Sequence, residues 1–366
     1  MTDRFRLTLA QLNATVGDLE ENARRAKDAW DEARAAGADM VALPEMFVTG
    51  YSTQDLVMKP AFFVQAEETI ERLARDCADG PMIGIGGPHY ADDRLYNAYY
   101  ILKGGRVVAR ALKHYLPNYD VFDEVRQFRR GPIQGVYDAG PLRIGSPICE
   151  DSWYVDVCET LVESGAEMIL VPNGSPYYRG KFDRRMNAMV ARVVENNVPL
   201  VYLNLVGGQD DQVFDGGSFV LNRGGKLAMK LPLFEEAIAH VDFQRGEDGW
   251  EAVEGEKATH HIALGDDHTL VVMFDKDAKC SGIQRVRGED EISNAVEAIQ
   301  GVIHPAGEIQ GQLLGKGDQL IVGATIAVRP SEVRALNAIA NASGNKRRPN
   351  AITATTNWKR RTSRAS

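Results

Sequence analysis

Short apolar runs alternate along this chain with amphipathic segments of helical spacing, and this alternation constrains the fold more than any other feature. The run FRLTLAQL precedes the helical segment LEENARRAKDAWDEARAAG, and the next run, DMVALPE, follows that segment. Helices that flank a sheet explain such a pattern. Two further segments predict hairpins that turn at paired glycines, LYNAYYILKGGRVVARALK and GSFVLNRGGKLAMKL. The pattern therefore predicts an α/β fold of two or three layers whose sheets are not all parallel.

Three ionisable residues each close a strand-like run. Glu45 ends DMVALPE, Lys113 ends RVVARALK, and Cys149 ends LRIGSPIC. A free cysteine is largely a thiol near neutral pH, so a nearby carboxylate that takes its proton would activate it. A lysine ammonium would stabilise the thiolate and a later oxyanion. Together these residue types indicate attack on the carbon of an amide, a nitrile or a related C–N bond.

The chain holds four cysteines, Cys77, Cys149, Cys158 and Cys280. A lone cysteine is more often a small buried hydrophobic residue than a nucleophile. Cys149 differs because it stands at a predicted strand-to-helix turn, which exposes a side chain and directs backbone N–H groups at the same point. We therefore interpret Cys149 as the nucleophile and Cys158, inside the following helix, as a packing residue.

The composition limits the partners and the location. The net charge of −9 gives no reason to expect a nucleic-acid partner for the protein as a whole. No apolar run approaches the ~20 residues that a membrane span needs, and MTDRFRLTLAQLN lacks the apolar core of a signal peptide. Four unevenly spaced cysteines do not make a disulfide framework. These features predict a cytoplasmic enzyme that contacts no membrane.

Glycine and histidine patterns predict no cofactor or metal site. GIGGPH, at residues 84–89, lacks the full G-x-G-x-x-G spacing and a following helix, so we do not interpret it as a dinucleotide loop. The seven histidines, including the pair His260–His261, show no HxxxH spacing, and the cysteines form no CxxC pair. We therefore expect chemistry that needs no metal.

Five blocks follow one another along the chain: VALPEMFVTGY, KHYLPNYDVFDEVRQF, ICEDSW, NGSPYYRGK and YLNLVGGQDDQVFDGGS. In order and spacing they resemble the nitrilase (carbon–nitrogen hydrolase) superfamily, and within it the glutaminase domain of glutamine-dependent NAD synthetases. The resemblance covers roughly residues 4–255. It implies a nitrilase-like four-layer α-β-β-α sandwich, followed by a short C-terminal region of uncertain structure.

Carried over residue by residue, the resemblance makes Cys149 the nucleophile, Glu45 the general base and Lys113 the oxyanion-stabilising lysine. Glu124 matches the second glutamate, which orients the other three residues. The backbone N–H of Glu150 would supply a second oxyanion donor. The positions expected to bind the substrate are Tyr119, Glu150, Ser175 and Lys181.

The resemblance implies hydrolysis of the glutamine side-chain amide to glutamate and ammonia through a cysteine thioester, as the ammonia-supplying part of NAD synthesis. The hydrolase itself would need no cofactor. ATP and deamido-NAD would be needed only if a synthetase domain is present elsewhere, because its Ser-Gly-Gly-x-Asp-Ser loop does not occur in this chain. The expected partners are glutamine as substrate, further copies of the chain in a homo-oligomer, and a separate synthetase protein.

The end of the chain departs from the resemblance. We expect a hydrolase domain over residues 1–255, a weakly structured, truncated or frame-shifted region over 256–330, and a basic tail over 331–366. No acidic residue follows Glu332, and the chain ends in NWKRRTSRAS. We favour a disordered tail over a basic arm that contacts nucleic acid or an acidic partner, because the stretch lacks apolar periodicity.

Two alternatives to the glutaminase remain open. The first is a free-standing amidase or nitrilase that acts on another small C–N substrate. The second is a non-catalytic scaffold whose basic tail binds a partner. The combination of Glu45, Lys113, Glu124 and Cys149 argues against the scaffold, because a binding module has no use for it.

Overall fold

The computed structural model of this protein describes residues 3–133 and 136–253 with their side chains. The chain divides into two units, Met1–Val253 and Glu254–Ser366. In the second unit the structure describes the backbone of strands at Thr259–Ala263, His268–Phe274, Cys280–Arg287, Leu313–Leu314 and Leu320–Ile321. The first three of these pair as an antiparallel sheet and the last two pair with each other. The expected regions 1–255, 256–330 and 331–366 stay a prediction, because the basic tail and much of the middle region lie outside the described residues.

Strands and helices alternate through the first unit as the pattern predicts. Its strands are β1 (Arg4–Gln11), β2 (Met40–Ala42), β3 (Met82–Ala91), β4 (Arg94–Lys103), β5 (Arg106–Leu112), β6 (Tyr137–Ala139), β7 (Leu142–Gly145), β8 (Met168–Asn173), β9 (Leu200–Asn204), β10 (Val206–Gln209), β11 (Gln212–Asp215), β12 (Phe219–Asn222), β13 (Lys226–Lys230), β14 (Ala237–Gly246) and β15 (Gly249–Ala252). Its helices are α1 (Leu19–Ala35), α2 (Pro60–Asp76), α3 (Glu124–Gln127), α4 (Val155–Glu163) and α5 (Lys181–Asn196). Short 3₁₀ segments lie at Gln54–Met58, Cys149–Trp153 and Arg223–Gly225.

Two sheets carry most of these strands. The seven-stranded sheet has the order β15-β14-β1-β2-β3-β4-β5, and the six-stranded sheet has the order β13-β12-β9-β8-β7-β6. The pairs β1–β2, β2–β3, β7–β8 and β8–β9 are parallel, whereas the remaining pairs of the two sheets are antiparallel. The prediction of mixed sheets with two glycine-turned hairpins is therefore confirmed. A separate hairpin is formed by β10 and β11.

The apolar cores define four layers. One core fills the space between the two sheets, and β8 contributes Met168 and Leu170 to it. Alternate residues of β8, Ile169 and Val171, face α4 and α5 on the outside of the six-stranded sheet. A third core packs α1 and α2 against the outer face of the seven-stranded sheet. The order is thus α-β-β-α, which confirms the family expectation and adds one or two layers to what the pattern alone predicts.

The sandwich also places several strand ends close together. Glu45 lies three residues beyond β2, Lys113 follows β5 directly, and Cys149 lies four residues beyond β7. The first two belong to the seven-stranded sheet and the third to the six-stranded sheet. In the part of the chain that the structure describes, no helix has both the length and the apolar character needed to cross a membrane.

Candidate active site

Four ionisable residues predicted from the sequence lie together in the interior. Lys113 Nζ is 2.7 Å from Glu45 Oε1 and 2.9 Å from the carboxylate of Glu124. Lys113 and Glu45 are fully buried, and Glu124 and Cys149 are 2% and 5% exposed. The structure therefore brings an ammonium, two carboxylates and a thiol into one water-poor site.

The Glu45 loop lies directly against the seven-stranded sheet. The backbone N–H of Gly86 donates to the carbonyl of Pro44, and the N–H of Val48 donates to the carbonyl of Gly86. A Cβ atom at Gly86 would lie 2.1 Å from the backbone nitrogen of Met46. Only glycine leaves room for this approach, so Gly86 allows the Glu45 loop to lie against the sheet.

Cys149 occupies a strained turn between a strand and a helix. Its φ of 46° lies in the left-handed region, which L-residues other than glycine seldom adopt. Helix α4 begins only at Val155, and Cys149 instead opens the 3₁₀ segment Cys149–Trp153. The expectation that this turn exposes the side chain is wrong, because Cys149 belongs to the core between the two sheets.

Three groups that the sequence analysis missed orient the two carboxylates. Asn97 Nδ2 donates to Glu45 Oε1 at 2.8 Å, and the backbone N–H of Gly174 donates to Glu45 Oε2 at 2.7 Å. The hydroxyl of Tyr51 donates to Glu124 Oε1 at 2.9 Å. Tyr51 ends the block VALPEMFVTGY, which could have drawn attention to it. Nothing in the sequence around Asn97 distinguishes it from any other polar residue of a strand.

The electrostatics of the site separate the roles of its groups. Burial and then the charge of Glu45 raise the pKa of the Cys149 thiol well above its usual value. Burial raises the pKa of Glu124 to about 6, against the opposing effect of Lys113. Burial acts to lower the pKa of Lys113, but the carboxylates of Glu124 and Glu45 raise it well above its usual value. At neutral pH the site thus holds a protonated amine and a thiol that needs a base.

Polar groups of both charges lie close enough to Cys149 to interact with it electrostatically. The Tyr119 hydroxyl donates to Glu150 Oε2 at 2.8 Å, and Tyr119 is 48% exposed whereas Glu150 is 8% exposed. Lys181, the first residue of α5, holds its ammonium 4.8 Å from the centre of the Trp153 ring. Burial lowers the pKa of Lys181, while the charges of Cys149 and Glu150 act to raise it. The site can therefore offer a carboxylate and an ammonium to one small molecule.

Ser175, also predicted to bind the substrate, accepts hydrogen bonds from a buried arginine. Arg185 Nε donates to Ser175 Oγ at 3.1 Å, and its Nη2 donates to the Ser175 carbonyl at 2.7 Å. The guanidinium also pairs with Asp215 at 2.7 Å, and both side chains are 1% exposed. The sequence analysis missed Arg185. It lies on the buried face of α5 with Met189, Arg192 and Val193, but the adjacent Arg184 is exposed, and the sequence alone does not distinguish the two arginines.

Two remaining expectations concern cysteines and metals. Cys77 and Cys158 are buried free thiols, and Cys158 packs in the core between α4, α5 and the six-stranded sheet. The side chain of Cys280 lies outside the described residues. Within residues 3–133 and 136–253, no group of three or more His, Cys, Asp and Glu side chains is arranged to hold a metal ion.

Comparison of the sequence with known proteins gives a consistent result. The pattern of the carbon-nitrogen hydrolase family matches residues 6–248. The glutamine-dependent NAD(+) synthetase of Rhodobacter capsulatus is 54% identical over 287 residues, which cover 78% of this chain and 52% of that protein. The enzyme of the same name from Aquifex aeolicus is 39% identical over 243 residues, which cover 66% of this chain and 42% of that protein. The chain spans about half the length of the curated relatives it matches.

The match to the Rhodobacter capsulatus protein is longer than the expected hydrolase domain. It covers 78% of a chain of 366 residues, which is more than residues 4–255 contain. The similarity to this relative therefore continues beyond residue 255.

Solved structures agree with the sequence comparison. The glutamine-dependent NAD+ synthetase from Acinetobacter baumannii, in complex with ADP, superposes with a TM-score of 0.66 at 31% identity and covers 70% of this chain and 49% of its own. An amidase from Nesterenkonia sp. superposes with a TM-score of 0.59 at 24% identity and covers 66% of this chain and 90% of its own. The likeness to the amidase shows the fold alone.

Proposed function

The chain belongs to the carbon-nitrogen hydrolase family, and on that premise we propose that it hydrolyses the side-chain amide of glutamine to glutamate and ammonia. The observation that carries the proposal is the buried contact of Lys113 with both Glu45 and Glu124 beside the Cys149 thiol. This arrangement supplies a nucleophile, a base and a fixed positive charge, and it excludes the water that would weaken their interactions.

In the first half of the reaction, Cys149 Sγ attacks the side-chain carbonyl carbon of glutamine while its proton passes to Glu45. The carbonyl oxygen becomes an oxyanion, which Lys113 and the backbone N–H of Glu150 stabilise. Glu45 then gives its proton to the departing nitrogen. The C–N bond breaks, ammonia leaves, and a thioester to Cys149 remains.

In the second half, a water molecule replaces the ammonia. Glu45 takes a proton from this water as the oxygen attacks the thioester carbon, and the new oxyanion is held by the same two donors. The C–S bond then breaks, glutamate leaves, and the proton on Glu45 returns to the sulfur. Glu124 and Asn97 hold the lysine and the base in place throughout, which is consistent with their direct contacts to these groups.

The proposed recognition of glutamine uses the charged groups near Cys149. The carboxylate of Glu150, held by Tyr119, would bind the α-ammonium of the substrate, and Lys181 would bind its α-carboxylate. Ser175 would contact the substrate from the strand end that Arg185 fixes. A short aliphatic amide presents neither charge, so it gains nothing from these groups.

We expect the protein to hydrolyse glutamine with a kcat/KM at least about 100-fold higher than that for propionamide, because hydrogen bonds to charged groups contribute about 1.5–3 kcal/mol each. Lys181→Met should raise the KM for glutamine about 10- to 100-fold and leave propionamide hydrolysis unchanged. Release of ammonia and glutamate, measured with a protein of confirmed mass, tests both statements.

Lys230→Met is the matched control for the lysine change. Lys230 also lies over an aromatic ring, 4.2 Å from the centre of Phe182, and burial likewise lowers its pKa. It should leave the KM for glutamine within about twofold of the unsubstituted protein. Equal kcat/KM for glutamine and propionamide, with no effect of Lys181→Met, would instead support a free-standing amidase that acts on another substrate.

The kcat/KM for glutamine should fall about tenfold per pH unit below an apparent pKa of about 6. Above this value Glu124 is a carboxylate that holds the Lys113 ammonium, and below it a proton weakens that contact. A pH–rate profile between pH 5 and 8 measures this acid limb.

Tyr51→Phe provides the internal comparison for this acid limb. The Tyr51 hydroxyl donates to Glu124 and acts to lower its pKa, so its removal should move the limb to higher pH. A profile that stays flat between pH 5 and 7 in the unsubstituted protein would exclude Glu124 as the titrating group. An acid limb that stays at the same pH in Tyr51→Phe would also exclude Glu124.

The ammonia is proposed to feed glutamine-dependent NAD synthesis, since the relatives named for that activity are about twice as long as the match to this chain. ATP and deamido-NAD would then serve a synthetase part, and no step of the hydrolysis uses them. A cytoplasmic location, a homo-oligomer and a separate synthetase partner stay proposals. The free thiols of Cys77, Cys149 and Cys158 are consistent with a reducing compartment.

A further inference from the structure

We propose that Asp151 is a positioning residue that fixes the main chain next to Lys113 to the main chain next to Cys149, and so sets the distance between the ammonium and the thiol. This inference rests on the proposed function, because it assigns the two groups to one reaction. Asp151 touches none of the reacting atoms in the proposed mechanism, and its effect on the reaction would pass through the backbone.

The carboxylate of Asp151 accepts hydrogen bonds from two separate segments. Its Oδ1 accepts from the backbone N–H groups of His114, at 3.0 Å, and Tyr115, at 2.7 Å. Its Oδ2 accepts from the backbone N–H of Ile148 at 3.0 Å. The side chain thus holds the two residues after Lys113 and the residue before Cys149.

These two segments come from different sheets. Lys113 follows β5, the edge strand of the seven-stranded sheet, whereas Cys149 follows β7 of the six-stranded sheet. Backbone ladders join strands within each sheet and do not join β5 to β7 in the described part of the chain. The separation of Lys113 from Cys149 therefore depends on the contacts that hold the two strand ends together. Asp151 supplies two of them, from His114 and Tyr115, while its bond from Ile148 lies within the turn that carries Cys149.

Further hydrogen bonds hold the turn that carries Cys149. The backbone N–H of Asp151 donates to the Ile148 carbonyl at 3.0 Å, which returns the bond that its carboxylate receives. The Ser152 hydroxyl donates to the Cys149 carbonyl at 2.7 Å. These bonds hold Cys149 at its positive φ, which would relax if the turn were free to open.

Burial of the Asp151 carboxyl group costs solvation free energy. The residue is 2% exposed, and burial raises the pKa of its carboxyl group to about 7 although three backbone N–H groups act to lower it. Those N–H groups replace the water that the carboxylate loses. Both oxygens of the side chain are used by backbone N–H groups of two segments, and this use indicates a role in alignment.

Asp151→Asn is the variant that tests this inference. The amide oxygen can still accept from His114 and Tyr115, but the amide NH₂ would face the N–H of Ile148, and that donor would be left unsatisfied. We expect kcat for glutamine to fall about 10- to 100-fold, with KM within about twofold, because the turn that carries Cys149 would shift relative to Lys113 and misalign the reacting groups. The rate at which iodoacetamide alkylates Cys149 should fall in parallel.

Asp156→Asn is the matched control. Asp156 is an exposed carboxylate that accepts from the side-chain hydroxyl of Tyr115 at 2.6 Å, so its replacement leaves the three backbone N–H bonds to Asp151 intact. It should leave kcat and the alkylation rate within about twofold. If Asp151→Asn gives too little folded protein, Asp151→Glu, which keeps the charge and both acceptors but displaces them by one methylene, should show the same loss of kcat at unchanged KM.

The outcomes separate this inference from the proposed function. A lowered melting temperature with unchanged kcat per alkylatable Cys149 would mean that Asp151 is only structural, and equal losses in Asp156→Asn would overturn the inference as well. If the unsubstituted protein releases no ammonia from glutamine, the proposed function fails. The alkylation rates still decide the role of Asp151 in that case, since they need no substrate.

Discussion

The Cys149→Ala variant is expected to fold normally and to release no ammonia from glutamine, with kcat lowered about 10⁴-fold or more. The thiol forms the bond to the substrate carbon in the proposed mechanism, and none of the neighbouring carboxylates can replace it in a thioester. Alanine fills most of the same space between the sheets and keeps the Cβ atom that the positive φ already accommodates. Ammonia release, circular dichroism and a melting curve measure these outcomes.

Cys158→Ala is the control for this change. Cys158 is fully buried in α4 and packs in the outer core, so its replacement should lower the free energy of unfolding by about 1 kcal/mol and leave kcat unchanged. Wild-type hydrolysis of amides by Cys149→Ala would refute the thioester mechanism. Loss of activity in Cys158→Ala at full stability would show that the wrong cysteine had been chosen.

Lys113→Met is expected to lose both activity and stability. The substitution keeps a long side chain but removes the charge that neutralises Glu45 and Glu124, which are buried with it. Breaking a buried ion pair in this way costs about 3–5 kcal/mol, because charge is left without a partner. In the protein that remains folded, the loss of the oxyanion-stabilising ammonium should lower kcat by about 10²- to 10³-fold.

The stability loss in Lys113→Met should depend on pH in a defined direction. Burial raises the pKa of Glu124 and Lys113 opposes that effect, so without the ammonium the Glu124 carboxyl group binds a proton more tightly in the folded than in the unfolded protein. Stability is then retained at low pH and falls as the pH rises, so the destabilisation should be larger at pH 8 than at pH 5. Urea unfolding at the two pH values measures the difference.

The double variant Lys113→Met with Glu124→Gln separates the two effects. Removal of one uncompensated carboxylate should restore part of the stability, because the two residues contact each other directly. It should restore no activity, since the ammonium remains absent. Wild-type stability of Lys113→Met at pH 8 would contradict the assignment of a charged buried cluster.

Local pattern identified many of the elements and the candidate catalytic residues at the ends of three of them. Apolar alternation marked the strands, and the paired glycines marked the two hairpins that the structure contains. Glu45, Lys113 and Cys149 were recognisable because they close strand-like runs, where functional side chains tend to cluster. The five sequence blocks added Glu124 and the predicted substrate-binding residues, which the pattern by itself did not single out.

The number of layers and the supporting residues were not recognisable from pattern. The residues MILV of β8 are all apolar because both faces of the strand are buried, and the sequence does not say what covers each face. Asn97, Arg185 and Asp151 look like ordinary polar residues in the sequence. Each became informative only when its buried partner was known.

The sequence by itself determined which residues could carry this chemistry, since side-chain type and local periodicity depend on near neighbours along the chain. Only the tertiary structure decided how those residues meet. Arg4 pairs with Gln244 across the β1–β14 ladder, and the 2.7 Å contact of Lys113 with Glu45 joins strand ends 68 residues apart. Such contacts result from the order in which strands that are distant in the chain assemble into one sheet, and no local pattern encodes that order.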